Sequence, residues 1–267
     1  MKTAWKTFAR KLPVILVLIA GVLLATIRFN FFDAHKIPFL TTAYIAHRGV
    51  YQQPIPENSL SAFQNAIDRG LSIELDVSMT KDGYPIIFHD DRLERLTNGH
   101  GFVKDTNLAD LKQLLLGSSD EKIPTLEQAL KLVDGQVALL IEIKNRGLPG
   151  RLEQRVLHCL KNYRGSIAIQ SFNPFVVRWF KQKASYDVGL ILGETRIKRM
   201  RLFRDNLYTF IAFPNFLVYQ YDLLTQDKPL MMMRKDSLLI IPYTLNAKNT
   251  GDLKAQNFDT AIIHFEQ

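Results

Sequence analysis

The sequence is poor in cysteine and contains a single residue of this type, Cys159, among 267. One cysteine excludes an intrachain disulfide and any metal site built from several thiolates. Cys159 lies in an apolar helical pattern with Leu152, Val156 and Leu160, which predicts a buried, unreactive thiol. The sequence also lacks a glycine-rich phosphate-binding loop, which argues against a nucleotide-dependent kinase or NTPase.

Negative charge is in short supply: 26 Asp and Glu stand against 34 Lys and Arg, for a formal net charge of +8. This excess favours anionic partners, such as a lipid surface, a phosphate-bearing substrate or nucleic acid. Hydrophobic residues make up 47% of the chain, which is sufficient for one large core. The length suits a single barrel of about 200–250 residues.

The N-terminal segment is basic and then apolar. Residues 1–11 carry Lys and Arg but no acid, and an uncharged run from Leu12 to Ile27 follows, extended by phenylalanines to residue 32. The run is short for a span of about 20 residues, but the phenylalanines lengthen it and Arg28 can reach the interface. The small residues that a signal peptidase requires are not at the expected positions, although cleavage stays open as an alternative.

We therefore predict a basic tail at 1–11, one transmembrane anchor at 12–32, a linker at 33–41 and a folded domain at 42–267. Basic residues are concentrated before the apolar run. This asymmetry predicts a single-pass membrane protein with a cytoplasmic N-terminus and an extracytoplasmic domain.

Strand-like and helical segments alternate after the linker, which predicts an α/β fold with parallel strands. Their number indicates a (β/α)8 barrel of the TIM type. The strand-like segments are 44–47, 72–78, 85–89, 136–144, 166–172, 188–192, 216–221, 238–245 and 259–265. The helical patterns are 59–69, 108–115, 125–133, 151–163, 174–183, 228–236 and 247–256.

One junction departs from the alternation. The seven residues between Val77 and Pro85 are too few for a helical crossover but suit a hairpin turned by Asp82-Gly83. We therefore expect a distorted barrel with an antiparallel pair at its second and third strands. Such a hairpin sets His89 opposite Glu74 and its neighbours, at a cross-strand distance of roughly 5 Å.

Ionisable residues gather at the predicted strand ends. Glu74 and Asp76 share one face of a strand, and Glu142 and Lys144 do so later in the chain. Barrel enzymes place their chemistry at the carboxyl ends of strands, where His47 also lies. Charged groups within apolar strands point to a common functional cavity rather than to isolated structural ion pairs.

The residue types in this group suit phosphoryl transfer from a diester. Three acids without a cysteine ligand favour a hard divalent cation, Mg²⁺ or Ca²⁺, over zinc. Arg48 and Lys144 provide cations for a phosphate, and His47 and His89 provide a general acid and a general base. Nearby, Asn58 or Ser59 caps the helix that follows, and we favour Asn58. Glu57 is interpreted as a site or supporting residue. His264 ends the last strand and either lines the site or, as we favour, has a packing role.

The order of these motifs resembles that of the glycerophosphodiester phosphodiesterase family over Tyr44 to about Phe265. The matching segments are HRG, PEN, E-x-D, TKDG, HD, IPTLEQAL, IEIK and QSF. The resemblance implies a barrel of the phospholipase-C-like phosphodiesterase type and metal-dependent hydrolysis of glycerophosphodiesters to glycerol 3-phosphate and an alcohol. It implies these roles: His47 and His89 as the acid/base pair, Glu74, Asp76 and Glu142 as metal ligands, and Arg48 and Lys144 as phosphate ligands.

Two segments depart from the family pattern. Tyr243 stands in Tyr-Thr-Leu-Asn where the family often has tryptophan, and it could contact the substrate's alcohol or glycerol side. His264 stands where the family commonly has an acid, which leaves the choice of headgroup open.

The residues leave three alternatives open. The site produces a cyclic phosphate, takes lysophospholipids as a phospholipase D does, or binds lipid without turnover. The basic stretch 196–204 either lies on anionic lipid or forms a solvated helix. We expect no nucleic-acid partner, and the assignment of base and acid to the two histidines stays open.

Overall fold

The computed structural model describes residues 37–193, 198–224, 239–246, 251, 253 and 258–265. The predicted anchor at 12–32 and the helical pattern at 228–236 lie outside these residues, as does most of the pattern at 247–256. Within the described ranges, no helix is long and apolar enough to cross a bilayer.

Parallel strands form a nearly closed barrel, as the alternation of segments predicts. The described strands are β1 (Ile45–His47), β2 (Ser72–Met79), β3 (Pro85–Ile87), β4 (Leu139–Ile143), β5 (Ile167–Ser171), β6 (Asp187–Leu192), β7 (Phe216–Gln220), β8 (Ile240–Tyr243), β9 (Leu245–Asn246) and β10 (Ile262–His264). Their spatial order is β8-β7-β6-β5-β4-β2-β1-β10-β9. Only Thr244 separates β8 from β9, so these two short strands together close the ring.

Helices cover the outside of the barrel. The described helices are α1 (Pro38–Thr41), α2 (Leu60–Asp68), α3 (Leu108–Leu111), α4 (Leu126–Val133), α5 (Arg151–Leu160), α6 (Pro174–Lys183), α7 (Lys198–Ala212) and α8 (Tyr221–Leu224). Thr125 and Gln128 form a capping box at the start of α4, which satisfies backbone N–H groups that a helix start leaves unpaired.

Side chains alternate between the two surfaces of the barrel wall with a period of two. In β4, Leu139 and Ile141 pack against the outer helices, while Leu140 and Glu142 belong to the interior. The lower interior is apolar, with Ile45, Leu140, Ala168, Phe216, Ile241 and Ile262 in one buried cluster. Inward-facing polar groups are concentrated at the carboxyl ends of the strands, above this cluster.

The predicted hairpin is confirmed. β3 pairs antiparallel with β2, with Val77 opposite Ile87, and the Phe88 N–H donates to the Asp76 carbonyl at 2.9 Å. Gly83 occupies the turn with φ of 92°, a conformation that favours glycine. However, β3 lies off the barrel path: among the described strands it pairs with β2, and Ile86 bridges to Thr125, so β3 is not the third strand of the wall.

The lower end of the barrel is closed by a segment that the sequence assigned to a linker. Ile37 and Leu40, at 2% and 0% exposure, pack into the lower apolar cluster. The carboxyl ends of the strands lie at the opposite end of the barrel. Residues 37–41 are therefore part of the folded domain.

The helix α7 has no counterpart among the predicted helical patterns, although a solvated helix was one of the two interpretations of its basic start at 196–204. Its apolar side chains do not form a single stripe: Met200 and Phe203 are exposed, whereas Ala212 is buried. The interpretation of 196–204 as a basic surface does not hold for Arg201, which is 2% exposed. Arg204 pairs with Asp205 at 2.9 Å.

Candidate active site

The HRG turn joins β1 to the site. Arg48 and Gly49 have φ of 59° and 83°, so the chain takes two left-handed steps after His47. A Cβ at position 49 would lie 2.8 Å from the backbone of Ala62, so glycine is required for close packing as well as for φ. This turn lets the Arg48 backbone N–H donate to Oε2 of Glu74 at 3.1 Å.

Three carboxylates meet at the carboxyl ends of β2 and β4. Asp76 and Glu142 are direct neighbours in the parallel register of the two strands, and Glu74 precedes Asp76 by one full pleat. One oxygen from each acid lies within 4.8 Å of the others. The three residues are only 1%, 1% and 7% exposed, so water does little to screen their mutual repulsion.

This crowding shows in the pKa values of the acids. Burial, followed by the charges of Asp76 and Glu142, raises the pKa of Glu74 well above its usual range. Burial and Asp76 raise the pKa of Glu142 to about 7, although Lys144 opposes the change. Burial also opposes ionisation of Asp76, but Lys144 and Arg48 lower its pKa overall. The group therefore lacks enough positive charge to keep all three acids ionised at neutral pH.

Two cations border the acids. Nζ of Lys144 lies 2.8 Å from Glu142 Oε1 and 3.4 Å from Asp76 Oδ1. The Arg48 guanidinium lies 3.2 Å from Asp76 Oδ2 through Nε, and its Nη1 donates to Glu57 Oε1 at 2.7 Å. Both cations are held by carboxylates, so each has a fixed position beside the cavity.

The donor set fits a hard divalent cation. Gln170 Oε1 is buried without a hydrogen-bond partner, and Asp76 Oδ1 makes an ion pair with Lys144 at 3.4 Å but no hydrogen bond. Burying such atoms is costly unless something else satisfies them. Gln170 Nε2 donates to Glu74 Oε1 at 3.3 Å, which places this amide beside the acids. Carboxylate and amide oxygens without sulfur ligands suit Mg²⁺ or Ca²⁺ chemistry.

His47 faces this group from β1. Its Nε2 lies 4.0 Å from Glu74 Oε2, and its Nδ1 lies 3.2 Å from each ring nitrogen of His264 on β10. The Tyr51 hydroxyl lies 3.2 Å from Nδ1 of His264. Burial, then Arg48 and His264, lower the pKa of His47 well below its usual range, which keeps its imidazole neutral near pH 7.

His89 approaches from the hairpin side and has charged support. Its Nδ1 lies 2.6 Å from Asp90 Oδ1. Arg95 binds Asp90 through Nε at 2.6 Å and donates from Nη2 to Glu57 Oε1 at 2.9 Å. Burial lowers the pKa of His89, although Asp76 opposes the change, and the Arg95 hydrogen bond lowers that of Asp90 to about 2. Arg95 thus connects the support of His89 with Glu57, which in turn holds Arg48.

The structure brings together all seven residues of the predicted core site: His47, Arg48, Glu74, Asp76, His89, Glu142 and Lys144. Glu57 lies behind them and bridges Arg48 and Arg95. Tyr243 lines the cavity, and its hydroxyl donates to the Leu192 carbonyl at 3.2 Å.

Asn58 corrects an expectation. The N-cap of α2 is Ser59, whose hydroxyl accepts from the Ala62 N–H, so Asn58 does not cap the helix. Asn58 has φ of 57°, and its Nδ2 donates to Asp76 Oδ2 at 2.9 Å. It therefore positions a carboxylate of the site. Asparagine and serine both favour helix starts, so the sequence alone did not separate their roles.

Sequence reasoning missed further supporting residues. Asp90 follows His89 directly in the HD motif, and the inward period of β5 points to Gln170, so signals for both were present. His264 was assigned to packing, whereas its ring contacts His47. Tyr51 and Arg95 lie in irregular segments, where no strand or helix period indicates the direction of a side chain.

A cavity of about 1100 Å³ opens above the site. Its wall includes the site residues and apolar side chains that extend outward, among them Leu148, Phe172, Phe175 and Tyr243. Leu148 and Phe175 are 82% and 49% exposed. The cavity is therefore polar at its base and apolar at its rim.

Comparison with known proteins places this geometry among phosphodiesterases. The sequence model of the Glycerophosphoryl diester phosphodiesterase family matches residues 47–263. The protein YhdW of Bacillus subtilis (strain 168) is 35% identical over 83% of this chain and 93% of its own length. A glycerophosphodiester phosphodiesterase of the same organism is 30% identical, over 78% of each chain.

Solved structures show the same architecture. An Oleispira antarctica phosphodiesterase, determined in complex with the product sn-glycerol-3-phosphate, has a TM-score of 0.71 and 27% identity. The match covers 84% of this chain and 93% of that one. A glycerophosphodiester phosphodiesterase of Thermotoga maritima, at 24% identity and a TM-score of 0.68 over 84% of this chain and 95% of that one, supports the fold alone.

Proposed function

The chain belongs to the glycerophosphoryl diester phosphodiesterase family, and we propose that it hydrolyses glycerophosphodiesters to glycerol 3-phosphate and an alcohol. The observation that carries this proposal is the meeting of three buried acids, two cations and two histidines at one end of the barrel. The similar Oleispira antarctica phosphodiesterase, which binds glycerol 3-phosphate as its product, supports the substrate class.

The proposed hydrolysis requires a bound divalent cation. Glu74, Asp76 and Glu142 would hold it, with the Gln170 amide oxygen beside them. When bound, the cation supplies positive charge to the non-bridging oxygens of the phosphate and relieves the repulsion among the acids. The all-oxygen donor set favours Mg²⁺ or Ca²⁺.

The chain's own cations bind and orient the phosphate. Lys144 and Arg48 lie beside the acids, and carboxylates fix both of them before substrate arrives. Fixed donors need no reorganisation as negative charge builds up on the phosphate oxygens, which is the main electrostatic contribution that a protein makes to such a reaction. The cavity base is largely buried, which strengthens these interactions.

The two histidines move the protons. The Asp90 carboxylate lies against Nδ1 of His89 and opposes the lowering of its pKa by burial, so we assign His89 as the acid. The His264 imidazole holds Nδ1 of His47, and burial lowers the pKa of His47, so its neutral ring suits the base. The oxygen of a water molecule bonds to phosphorus, and Nε2 of His47 takes the proton that this water loses. The bond from phosphorus to the alcohol oxygen breaks, and His89 protonates that oxygen.

Release of glycerol 3-phosphate from glycerophosphocholine tests the proposal. We expect activity in the wild type and a loss of about 10²–10⁴-fold in His47→Ala and in His89→Ala. His158→Ala, at an exposed histidine of α5, is the matched control and should keep wild-type activity. An inactive wild type supplied with Mg²⁺ or Ca²⁺, or full activity in both site variants, would refute the proposal.

Product analysis separates hydrolysis from cyclisation. Phosphorus NMR of the reaction should show glycerol 3-phosphate without accumulation of a cyclic phosphodiester. A cyclic product that persists would show that a substrate hydroxyl attacks phosphorus, and would favour a lyase-type reaction on the same site.

Lysophospholipids are a second substrate class that the cavity favours. A volume of about 1100 Å³ and an apolar rim at Leu148 and Phe175 give space for an acyl chain beyond the phosphate. Glycerophosphocholine and lysophosphatidylcholine carry the same headgroup and differ only in this chain. Both release choline when the same bond is cleaved, so one readout serves for the two substrates.

The double variant Leu148→Gln with Phe175→Gln tests the acyl site. We expect kcat/KM for choline release from monomeric lysophosphatidylcholine to fall about tenfold, because about 1.4 kcal/mol of apolar contact is a tenfold effect. Glycerophosphocholine should be unaffected. Phe210→Gln, an exposed phenylalanine of α7 outside the cavity wall, is the control. Equal rates of wild type and double variant on both substrates would remove lysophospholipids from the proposal.

Membrane anchoring is proposed on the sequence of residues 12–32, with the barrel outside the cytoplasm. The described chain begins with Ile37 buried at the barrel floor, and residues 33–36 span at most about 18 Å from Phe32. An anchor ending at residue 32 would hold the floor nearest the bilayer. The cavity mouth would then point away from that membrane, toward substrates in the aqueous phase.

Fractionation of cells tests the anchor. The full chain should stay with membranes after alkaline extraction, and a variant lacking residues 1–32 should be released. Protease added outside intact cells or spheroplasts should degrade the barrel of the full chain. Release of the full chain by alkaline buffer would contradict a spanning anchor.

A further inference from the structure

We propose that His264 is a positioning residue, which with Tyr51 fixes the ring of His47 and places its reactive nitrogen toward the phosphate. The inference rests on the proposed function, because it assigns a role within the same reaction. It concerns His264, which ends β10 beside the first strand of the barrel.

The geometry brings β10 and the loop after β1 against the back of His47. The rings of His47 and His264 are 4.3 Å apart between centroids and meet edge to face at 77°. Nδ1 of His47 lies 3.2 Å from Nε2 of His264. Nδ1 of His264 lies 3.2 Å from both Nδ1 of His47 and the Tyr51 hydroxyl. The His264 ring therefore connects Tyr51, on the loop, with His47 in the site.

One arrangement of protons suits a base. The His47 Nδ1–H donates to Nε2 of His264, and the His264 Nδ1–H donates to the Tyr51 oxygen. Nε2 of His47, on the side of Glu74, then carries a lone pair. It can accept the proton of the attacking water without breaking the hydrogen bond to His264. The second nitrogen of a catalytic histidine generally sets its tautomer in this way.

The chemistry of the supporting group differs between the two histidines. A carboxylate of Asp90 holds His89, whereas the imidazole of His264 holds His47. An imidazole nitrogen that accepts a hydrogen bond fixes the ring and tautomer of a base without placing a carboxylate charge against it.

Kinetics of His264 variants test the proposal. In His264→Leu, we expect kcat for glycerol 3-phosphate release to fall about 10- to 100-fold, as for other supporting residues, with KM within about twofold of wild type. His264→Gln keeps an acceptor near the position of Nε2 and should recover most of the loss. Tyr51→Phe should cause a smaller loss of kcat. His158→Leu, an exposed histidine on α5, is the control.

A nitrogen NMR spectrum of the ring supplies a readout that does not depend on turnover. At neutral pH, His47 of the wild type should show the Nδ1–H tautomer, and His264→Leu should shift it toward Nε2–H. His264→Gln should retain the wild-type tautomer. If His264→Leu does not fold, the spectra of Tyr51→Phe and His264→Gln still show whether His264 sets the tautomer of His47.

The outcomes separate the two proposals. Wild-type kcat in His264→Leu, or a reduced kcat with the wild-type tautomer of His47, would overturn the positioning role while leaving hydrolysis intact. A wild type that releases no glycerol 3-phosphate would overturn the proposed function, and the NMR spectra would still decide whether His264 fixes His47.

Discussion

At the scale of single residues, the site is a set of charges that hold one another in place. Glu57 accepts from both Arg48 and Arg95, so one buried acid positions the phosphate ligand and the support of His89. These links explain why the chain keeps ionisable groups in an apolar barrel. Arg48 and Arg95 are each paired with Glu57, and removal of one partner leaves the other unsatisfied.

Arg95 gives a direct prediction. Arg95→Gln should lower kcat about tenfold, because Asp90 and Glu57 both lose their bidentate partner and the histidine behind Asp90 loses its orientation. Arg155→Gln, on the exposed face of α5, is the control. The measurement is glycerol 3-phosphate release at saturating substrate and cation. A kcat equal to that of wild type would show that Asp90 is held without Arg95.

Cys159 gives a second prediction at this scale. Burial, then Glu127, raises the pKa of its thiol to about 11, so its thiolate fraction at pH 8 is far below that of a free cysteine. Iodoacetamide should therefore alkylate Cys159 about 100-fold more slowly than a thiol of pKa 9. Cys159→Ser should retain full activity. Cys159 is half-buried, not buried as the sequence predicts, and rapid alkylation of the folded protein at pH 8 would contradict an inert thiol.

At the scale of elements, the sequence predicts those elements that short-range residue patterns determine. The Asp82-Gly83 turn and the flanking apolar alternation fixed the hairpin, and with it the approach of His89 to Asp76. The helix α7 escaped prediction because both of its faces carry apolar residues, with Phe203 exposed and Ala212 buried. A period of 3.6 residues is visible in sequence only when one face is polar.

The HRG turn gives a prediction for an element. Gly49→Ala should lower the free energy of unfolding by about 1–3 kcal/mol, because a Cβ meets the Ala62 carbonyl and left-handed backbone is strained for alanine. Gly70, also left-handed with φ of 64° but with open space around it, is the matched control. Gly70→Ala should cost only the backbone strain, about 1 kcal/mol. Urea denaturation of both variants compares the two costs, and an equal loss would argue against the packing contact.

At the scale of the whole molecule, the barrel separates an apolar floor from a polar upper end. Strand–helix alternation predicted the barrel, but ring closure decides which distant residues meet. The contact between His47 and His264 joins β1 and β10 across 217 residues. A short-range sequence pattern does not predict a contact between residues so far apart in the chain. Likewise, Leu40 enters the barrel floor from a segment whose composition reads as a linker.

The crowded acids give a prediction for global stability. Without a divalent cation, Glu142 has a folded-state pKa of about 7, above its ordinary value of 4.5. The unfolded chain then releases this proton first, so stability from this group is present below pH 4.5 and is lost as pH rises toward 7. In EDTA, Tm should fall between pH 5.5 and pH 7.5.

Added Mg²⁺ or Ca²⁺ should reverse that loss, because a ligand that binds only the folded state raises Tm with its concentration. Glu142→Gln should flatten the pH dependence in EDTA and weaken the response to the cation. Glu127→Gln, an exposed glutamate of α4, should behave as wild type. A Tm that rises from pH 5.5 to pH 7.5 in EDTA would show that the acids are not coupled in this way.

The central claim is that three buried acids form a metal centre that makes this barrel a phosphodiesterase. The most direct test is release of glycerol 3-phosphate from glycerophosphocholine after treatment with EDTA, followed by return of Mg²⁺ or Ca²⁺. We predict that chelation abolishes activity, that one of these cations restores it, and that Glu142→Gln is not restored. Activity that survives complete chelation would contradict the claim.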